Sequence, residues 1–199
     1  MPEPVILASA SSARAALLRA AGVCFEIEPA EIDEARIKRL ARVTGDTAIA
    51  CALALAVEKA RAVSARNPGA LVIGADQILV AGDEWFDKPS DRNEARTQLR
   101  TLRDRAHVLA TAACAIADGS VLWQGTSEPE LTMRPFSDAF LEEYMAAEGE
   151  SLLGSVGAYR LEARGVQLFS RIAGDYFAVL GLPLLELLDF LRTREVVPR

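Results

Sequence analysis

The chain of 199 residues carries 22 Lys and Arg against 28 Asp and Glu, which gives a net charge of −6 and a pI near 5.0. This acidic balance disfavours non-specific binding to nucleic acid or to an anionic membrane surface, but it leaves room for a local basic pocket. A chain of this length buries roughly 70% of its unfolded surface, so we expect a substantial hydrophobic core.

The cysteines and the apolar segments indicate the compartment. Cys24, Cys51 and Cys114 are odd in number and form no CxxC pair, so neither a zinc site nor a disulfide framework is expected. The N-terminal segment has no basic stretch before an apolar core and does not resemble a signal peptide. The longest apolar run, residues 48–57, covers only about half of a bilayer span. We therefore expect a soluble, cytoplasmic protein with no membrane span.

The first half of the chain alternates between strands and helices. Apolar periodicity, capping residues and turn dipeptides set the predicted boundaries. The predicted elements are a strand at 5–8, a helix at 13–21, an extended segment at 24–29, a helix from Thr44 or Asp46 to about 65, and a buried strand at 71–80.

The second half is richer in hairpins. It is predicted to contain a hairpin turn at Gly82-Asp83, a helix from the N-cap Ser90 to about 103, a strand at 106–117, a turn at Asp118-Gly119, strands at 120–125 and 130–136, a helix after Ser137, an irregular Gly-rich segment at 154–181, and a helix at 184–194. This order predicts an α/β fold with one mixed, twisted sheet flanked by helices, in two lobes around a cleft.

A serine-rich turn between the first strand and the first helix is the first candidate site. In LASASSARAALL, residues 7–18, backbone N–H groups at a helix N-terminus can bind an anion. Ser9, Ser11 and Ser12 add hydroxyl donors, and Arg14 adds a planar cation suited to phosphate oxygens. The turn has no Walker A pattern, and an ordinary serine N-cap is the alternative.

Carboxylates supply the second and third candidate sites. Glu31, Asp33 and Glu34 follow the extended segment and can offer oxygen ligands to Mg²⁺, unless they are merely solvated. Asp76 lies inside the apolar run LVIGADQILV, where an ionised carboxylate costs several kcal/mol unless it is paired. Such a residue can bind a metal or activate water, and a satisfied turn carboxylate is the alternative.

Other polar residues leave more alternatives open. Lys59 is a candidate cationic site residue, although Lys59 and Arg61 could also be solvated tips of an apolar helix, and Lys88 follows twelve residues after Asp76. The Gly-rich segment around Glu162 either wraps a base and ribose or is an ordered loop. His107 is the only histidine, so no His-ligated metal cluster and no Ser-His-Asp triad can be built without it; we interpret it as a packed strand residue.

Seven motifs, taken together and in order, resemble the Maf family over nearly the whole chain, from Ile6 to about Arg192. The motifs are LASASSARAALL, EIDE, the helix ending in VEKA, VIGAD, DKP, VGAYRLEARG and GDYFAVLGLP. The family comprises nucleoside triphosphate pyrophosphatases that were first linked to septum formation. The resemblance implies one Maf-like catalytic domain over residues 1–199, with a fold similar to the house-cleaning inosine-triphosphate pyrophosphatases, and a homodimer.

The resemblance also implies an activity and a set of site residues. The activity is cleavage of a nucleoside triphosphate into the monophosphate and pyrophosphate, with Mg²⁺ or Mn²⁺ as cofactor. The matching residues are Ser9, Ser11 and Arg14 in the phosphate-binding turn, Lys59 and Lys88 as phosphate-binding lysines, Glu34 as a metal ligand, and Asp76 as the catalytic acid/base and a second metal ligand.

The preferred base follows less directly from the resemblance. The family turn usually has Pro where Ser12 stands, and the positions that help to set base preference hold Ala13, Gln77 and Glu162. Gln77 and Glu162 resemble the branch that acts on 7-methyl-GTP, whereas that branch has a large aromatic residue in place of Ala13. The GAY and GDY segments look like the branch that acts on dTTP and UTP. We predict a modified purine nucleotide such as 7-methyl-GTP, with dTTP or UTP as the alternative.

A different class of function is also open. The family's link to septum formation is compatible with a non-catalytic, nucleotide-binding regulator of cell division. A phosphatase of the haloacid dehalogenase type is disfavoured, because the chain contains no DxD motif.

Overall fold

The computed structural model describes residues 3–198, and within them eight strands and seven α-helices form an α/β fold. The strands are β1 (Val5–Leu7), β2 (Glu26–Ile27), β3 (Leu71–Ala81), β4 (Glu84–Phe86), β5 (Ala106–Ala117), β6 (Ser120–Ser127), β7 (Glu130–Met133) and β8 (Phe169–Ala173). The helices are α1 (Ser12–Ala20), α2 (Glu34–Thr44), α3 (Ala48–Ser64), α4 (Arg92–Leu102), α5 (Asp138–Glu148), α6 (Tyr176–Val179) and α7 (Leu184–Thr193).

The strands form a mixed sheet in the order β2-β1-β3-β5-β7-β8, with β4 paired to β3 and β6 paired to β5. β1 pairs in parallel with β2 and β3, whereas β6, β7 and β8 pair antiparallel to their neighbours. The predicted mixed α/β fold is therefore confirmed. Within residues 3–198, no helix is both long enough and apolar enough to cross a membrane.

The chain divides into two compact units, as expected for two lobes. The first unit contains the chain up to Gln77, the segment Ala110–Ser127, and the chain from Phe177 onward. The second unit contains Ile78–Leu109 and Glu128–Tyr176.

In the first unit, the central strands are buried on both faces. Side chains alternate along β1, so Val5 and Leu7 belong to one apolar cluster and Ile6 belongs to another. Leu18 of α1 and Leu187 of α7 pack in the cluster with Leu7, whereas α3 supplies small residues to the other. Burial on both faces explains why β1 and β3 read as continuous apolar runs rather than as alternating ones.

Two helix starts differ from the prediction. The helix predicted to begin at Thr44 or Asp46 is preceded by the unpredicted helix α2, which ends at Thr44 with Gly45 in a left-handed conformation (φ 75°). The N-cap of α3 is Thr47, whose side chain accepts a hydrogen bond from the Ala50 N–H. The prediction was wrong because Thr44, Asp46 and Thr47 are all capable caps. The left-handed Gly45 ends α2 after Thr44, and the Asp46 carboxylate accepts from the Thr44 hydroxyl instead of capping α3.

A similar correction applies to α4. Its N-cap is Asp91 rather than Ser90, since the Asp91 carboxylate accepts from the N–H groups of Asn93 and Glu94 at 2.8 Å. The predicted hairpin turns at Gly82-Asp83 and Asp118-Gly119 are confirmed, because Ala81 pairs with Glu84 and Ala117 pairs with Ser120. The predicted N-cap Ser137 is also confirmed.

In the second unit, a buried polar contact lies beneath β7 and β8. His107 of β5 is 2% exposed, and its Nε2 is 2.8 Å from Tyr159 Oη. The ring also lies against Phe169. The interpretation of His107 as a packed strand residue is therefore confirmed.

This histidine predicts an acid-sensitive stability. Burial lowers the pKa of His107 from its usual 6.5 to about 4, so the unfolded chain takes up the proton more readily than the folded one. The free energy of unfolding is therefore at its full value above pH 6.5 and falls as the pH decreases towards 4. At pH 5 the loss due to His107 is about 2 kcal/mol. Urea unfolding at pH 7.5 and pH 5 measures this loss.

The matched variant for this prediction is His107→Gln, which keeps a neutral polar side chain. Its free energy of unfolding is expected to fall less between pH 7.5 and pH 5 than that of the wild type. An equal loss in the two proteins would assign the acid sensitivity to other groups.

Candidate active site

The serine-rich turn has the anticipated geometry at the N-terminus of α1. Ser11 is the N-cap, and its side chain accepts from the Arg14 N–H. Ser9 is 8% exposed and accepts from the Ser11 N–H at 3.2 Å. Ala13 lies in the first turn of the helix. Ser11 therefore caps the helix, which both alternatives allow, and the N-terminus of α1 presents backbone N–H groups of the kind that bind an anion.

Arg14 holds this turn against two distant segments of the first unit. Its guanidinium donates to Ser9 Oγ at 3.1 Å, to the Ala75 carbonyl at 2.9 Å and to the Gly181 carbonyl at 3.0 Å. Burial lowers the pKa of Arg14 below its usual value, and the negative charges of Asp76 and Glu34 oppose that effect. Because the Ala75 carbonyl immediately precedes Asp76, Arg14 also helps to fix the strand that carries this carboxylate.

The centre of the site is a lysine between two carboxylates. Lys59 Nζ lies 2.5 Å from Asp76 Oδ1 and 2.9 Å from Glu34 Oε1. Lys59 and Asp76 are buried, at 8% and 6% exposure, whereas the Glu34 side chain is 44% exposed. The costly burial of Asp76 is therefore offset by a directly paired ammonium group. Asp33 is the N-cap of α2 and orients the helix end that carries Glu34.

Close approach between α3 and β3 brings Lys59 to Asp76. Gly74 lies two residues before Asp76, and a Cβ at this position would be 2.1 Å from the Ala56 carbonyl oxygen and 2.8 Å from Ala60 Cβ. No side chain fits there, so glycine allows the helix backbone to lie directly on the strand. A glycine inside a strand pattern often marks such an approach, and this signal in VIGAD could have identified Gly74 from the sequence.

Gln77 follows Asp76 and serves the architecture of the first unit. Its Nε2 donates to Thr111 Oγ at 2.8 Å, and to the carbonyls of Ala178 and Val179 at 2.9 and 3.2 Å. Thr111 Oγ donates to Ala178 as well. The amide N–H groups of Gln77 all donate to acceptors within the fold. A ligand could therefore form a hydrogen bond only with the Gln77 side-chain oxygen, as an acceptor.

Two candidate residues belong to the second unit. Lys88 is exposed and lies between β4 and α4, and Pro89 after it is buried. Glu162 lies in a turn, and its carboxylate is 3.3 Å from Arg160 Nε. The first unit therefore gathers Ser9, Arg14, Glu34, Lys59 and Asp76 into one connected set of contacts.

Glu34 and Asp76 are the two carboxylates that were predicted as metal ligands. Within residues 3–198, no cluster of three or more His, Cys, Asp or Glu side chains can hold a metal by itself. Glu34 and Asp76 nevertheless converge on one point, which the Lys59 ammonium shares. Mg²⁺ is commonly bound by one or two carboxylates together with water and substrate phosphates, and this donor set fits that type of site.

Comparison with known proteins identifies the family of the chain. The family profile described as Maf-like protein matches residues 4–194. The chain belongs to the Maf family. A protein of Granulibacter bethesdensis named nucleoside triphosphate pyrophosphatase is 51% identical over 193 residues, which are 97% of this chain and 98% of that protein.

Two further Maf relatives have similar coverage. A nucleoside triphosphate pyrophosphatase of Paramagnetospirillum magneticum is 49% identical over 97% of this chain and 100% of its own. A 7-methyl-GTP pyrophosphatase of Rhizobium etli is 46% identical over 96% of each chain. The match to the Maf family therefore includes parts of both units, from residue 4 to residue 194.

Proposed function

We propose that this protein hydrolyses a nucleoside triphosphate to the monophosphate and pyrophosphate. The observation that carries the proposal is the buried Lys59, held between Asp76 and Glu34. The serine-capped N-terminus of α1, whose backbone N–H groups can bind an anion, supports it. Water adds across the anhydride bond between the α- and β-phosphates, and pyrophosphate leaves. Relatives at 46–51% identity over nearly the whole chain are named as pyrophosphatases, which supports this class of reaction.

Each site residue has a separate role in the proposed hydrolysis. Asp76 orients the attacking water and accepts its proton, since β3 holds the carboxylate in one place. The turn N–H groups, Ser9 and Lys59 bind phosphate oxygens and stabilise the charge that develops on them in the transition state. Lys88 supplies a further cation for the triphosphate. Several cationic groups are needed because the substrate brings about four negative charges to an acidic protein.

A divalent cation, Mg²⁺ or Mn²⁺, is part of the proposal. Glu34 and Asp76 would hold it, and the bound ion would neutralise charge on the phosphates. The homodimer and the cytoplasmic location stay predictions.

The proposed substrate is a modified purine nucleotide, 7-methyl-GTP in particular. Glu162 can accept hydrogen bonds from a guanine edge and would attract the positive charge of the methylated ring. Gln77 would contribute its side-chain oxygen, an acceptor for base N–H groups. The Rhizobium etli relative bears the corresponding name.

A nucleotide panel tests the reaction and the substrate separately. The purified protein is incubated with dTTP, UTP, CTP, GTP and 7-methyl-GTP, with Mg²⁺, with Mn²⁺, or with EDTA, and pyrophosphate is measured. We expect pyrophosphate release that requires the metal, with the highest kcat/KM for 7-methyl-GTP.

Different outcomes contradict different parts of the proposal. Release of orthophosphate alone, or no turnover with Mg²⁺, Mn²⁺ or Co²⁺, would overturn the reaction. Nucleotide binding without turnover would favour the non-catalytic regulator. Preference for dTTP or UTP would leave the reaction intact and overturn the choice of base. Full activity in EDTA would remove the metal from the mechanism.

A further inference from the structure

The loop that carries Lys88 is held from both sides by one helix. The loop connects β4 to α4, and in its residues 87–90 only Pro89 is buried, whereas Asp87, Lys88 and Ser90 are exposed. Lys88 reaches solvent on a long flexible side chain, so its backbone must be fixed if the ammonium is to meet one phosphate reproducibly.

Gln98 of α4 fixes the side of the loop before Lys88. It is 6% exposed, and its Nε2 donates to the Asp87 carbonyl at 3.0 Å. This carbonyl belongs to the peptide bond that joins Asp87 to Lys88. The other polar atom of the side chain, Oε1, is buried and has no hydrogen-bond partner among residues 3–198.

The unpartnered oxygen indicates why a glutamine is present. A buried amide oxygen that lacks a partner is destabilising, so an apolar side chain of the same length would suit stability better. An apolar residue could supply neither the bond from Gln98 to the Asp87 carbonyl nor the hydrogen bond between the Gln98 and Glu94 side chains. This contrast points to a role in holding the loop rather than in packing.

Glu94 fixes the side of the loop after Lys88. Its Oε2 accepts from the Ser90 N–H at 2.8 Å and from Ser90 Oγ at 2.7 Å. Glu94 and Gln98 are four residues apart on α4 and therefore share one face of the helix. Capping of the helix N-terminus is an alternative role for Glu94, but Asp91 is already the N-cap of α4. Capping also does not account for the bond from Gln98 to the loop.

We propose that Gln98 and Glu94 are positioning residues for Lys88. Gln98 binds the loop one residue before Lys88, and Glu94 binds it two residues after Lys88. The proposal rests on the proposed function, because the phosphate-binding role of Lys88 comes from there. Neither residue needs to touch the substrate. Each acts by limiting the positions that the Lys88 backbone can occupy.

Gln98→Met tests the first contact with little change of volume. We expect kcat/KM for the preferred nucleotide to fall about 10-fold, as for a displaced binding group, while the melting temperature is unchanged or higher. Thr97→Val is the matched control, because Thr97 is the exposed neighbour on α4 and its hydroxyl donates to the Asn93 carbonyl of the same helix. The control should keep wild-type activity.

A double-mutant cycle with Lys88→Ala separates positioning from general damage. If Gln98 acts through Lys88, Gln98→Met has almost no further effect in the Lys88→Ala background. The same fold loss in both backgrounds, or no loss in the single variant, would overturn the proposal. For the second contact, Glu94→Gln retains an acceptor for Ser90 and should recover much of the activity that Glu94→Ala loses. Equal activities of the two Glu94 variants would exclude Glu94 from the pair.

Binding of inorganic tripolyphosphate distinguishes this proposal from the proposed function. If the wild type releases no pyrophosphate from any nucleotide, the proposed function fails, and the same cycle is then measured by calorimetry on tripolyphosphate affinity. Gln98→Met should weaken binding only when Lys88 is present. A wild type that does not bind tripolyphosphate, or a loss that is independent of Lys88, would overturn the positioning role.

Discussion

Replacing Asp76 with asparagine is expected to lower kcat for pyrophosphate release by at least ~100-fold. The amide is nearly the same size as the carboxylate, but it cannot accept the proton of the attacking water and is a poor metal ligand. The buried Lys59 keeps its second partner, Glu34, at 2.9 Å, so the ammonium is not left unpaired. The loss should therefore fall mainly on the rate. Steady-state release of pyrophosphate measures it.

Two controls accompany the Asp76→Asn variant. Thermal unfolding shows whether the protein remains folded, and Asp83→Asn, in the exposed turn between β3 and β4, changes the same charge elsewhere. The Asp83 variant should retain full activity. Turnover close to that of the wild type in a folded Asp76→Asn protein would exclude Asp76 as the general base.

Gly74→Ala is expected to impair both stability and catalysis. The added methyl group would meet the Ala56 carbonyl oxygen at 2.1 Å, and because this atom is backbone, α3 must move away from β3. Overpacking of this kind typically costs about 1–3 kcal/mol of unfolding free energy. Lys59 is carried by the same helix, so its distance from Asp76 changes as well. A displacement of about 1 Å can lower the rate on the order of 100-fold.

Gly154→Ala is the matched control for this prediction. A Cβ at Gly154 meets nothing within 4 Å, and this glycine does not have a positive φ. Urea unfolding and kcat should therefore be close to wild type in this variant. If Gly74→Ala behaves like Gly154→Ala, the close approach of α3 to β3 does not control the geometry of the Lys59–Asp76 pair.

The sequence predicted those parts of the fold that depend on local signals. The apolar run around Asp76 identified a strand buried on both faces, and the dipeptides Gly82-Asp83 and Asp118-Gly119 identified two hairpins. These features depend on neighbouring residues, so a pattern is sufficient. The cost of burying a charge likewise required Asp76 to have a partner, although the pattern did not identify it as Lys59.

Contacts between distant residues could not be predicted from such patterns. The sequence suggested a phosphate-binding role for Arg14, but not its bonds to the carbonyls of Ala75 and Gly181. Gln77 was assigned to base preference because it follows Asp76. Its amide nitrogen is in fact bound to Thr111 and to two carbonyls. Every residue has a backbone carbonyl. The sequence therefore does not indicate which carbonyl accepts a given hydrogen bond.

The bonds of Arg14 also order events during folding. Its three acceptors lie 5, 61 and 167 residues away along the chain, so only one of them is local. Contacts of such large separation form after the loops between them have closed, and loop closure carries an entropic cost that local helices avoid. Helix α1 and its N-terminal turn can form early, because their contacts are local. The bonds of Arg14 to Ala75 and Gly181 can form only after these distant segments have packed against the turn. Recovery of catalytic competence on refolding therefore trails the return of helical signal.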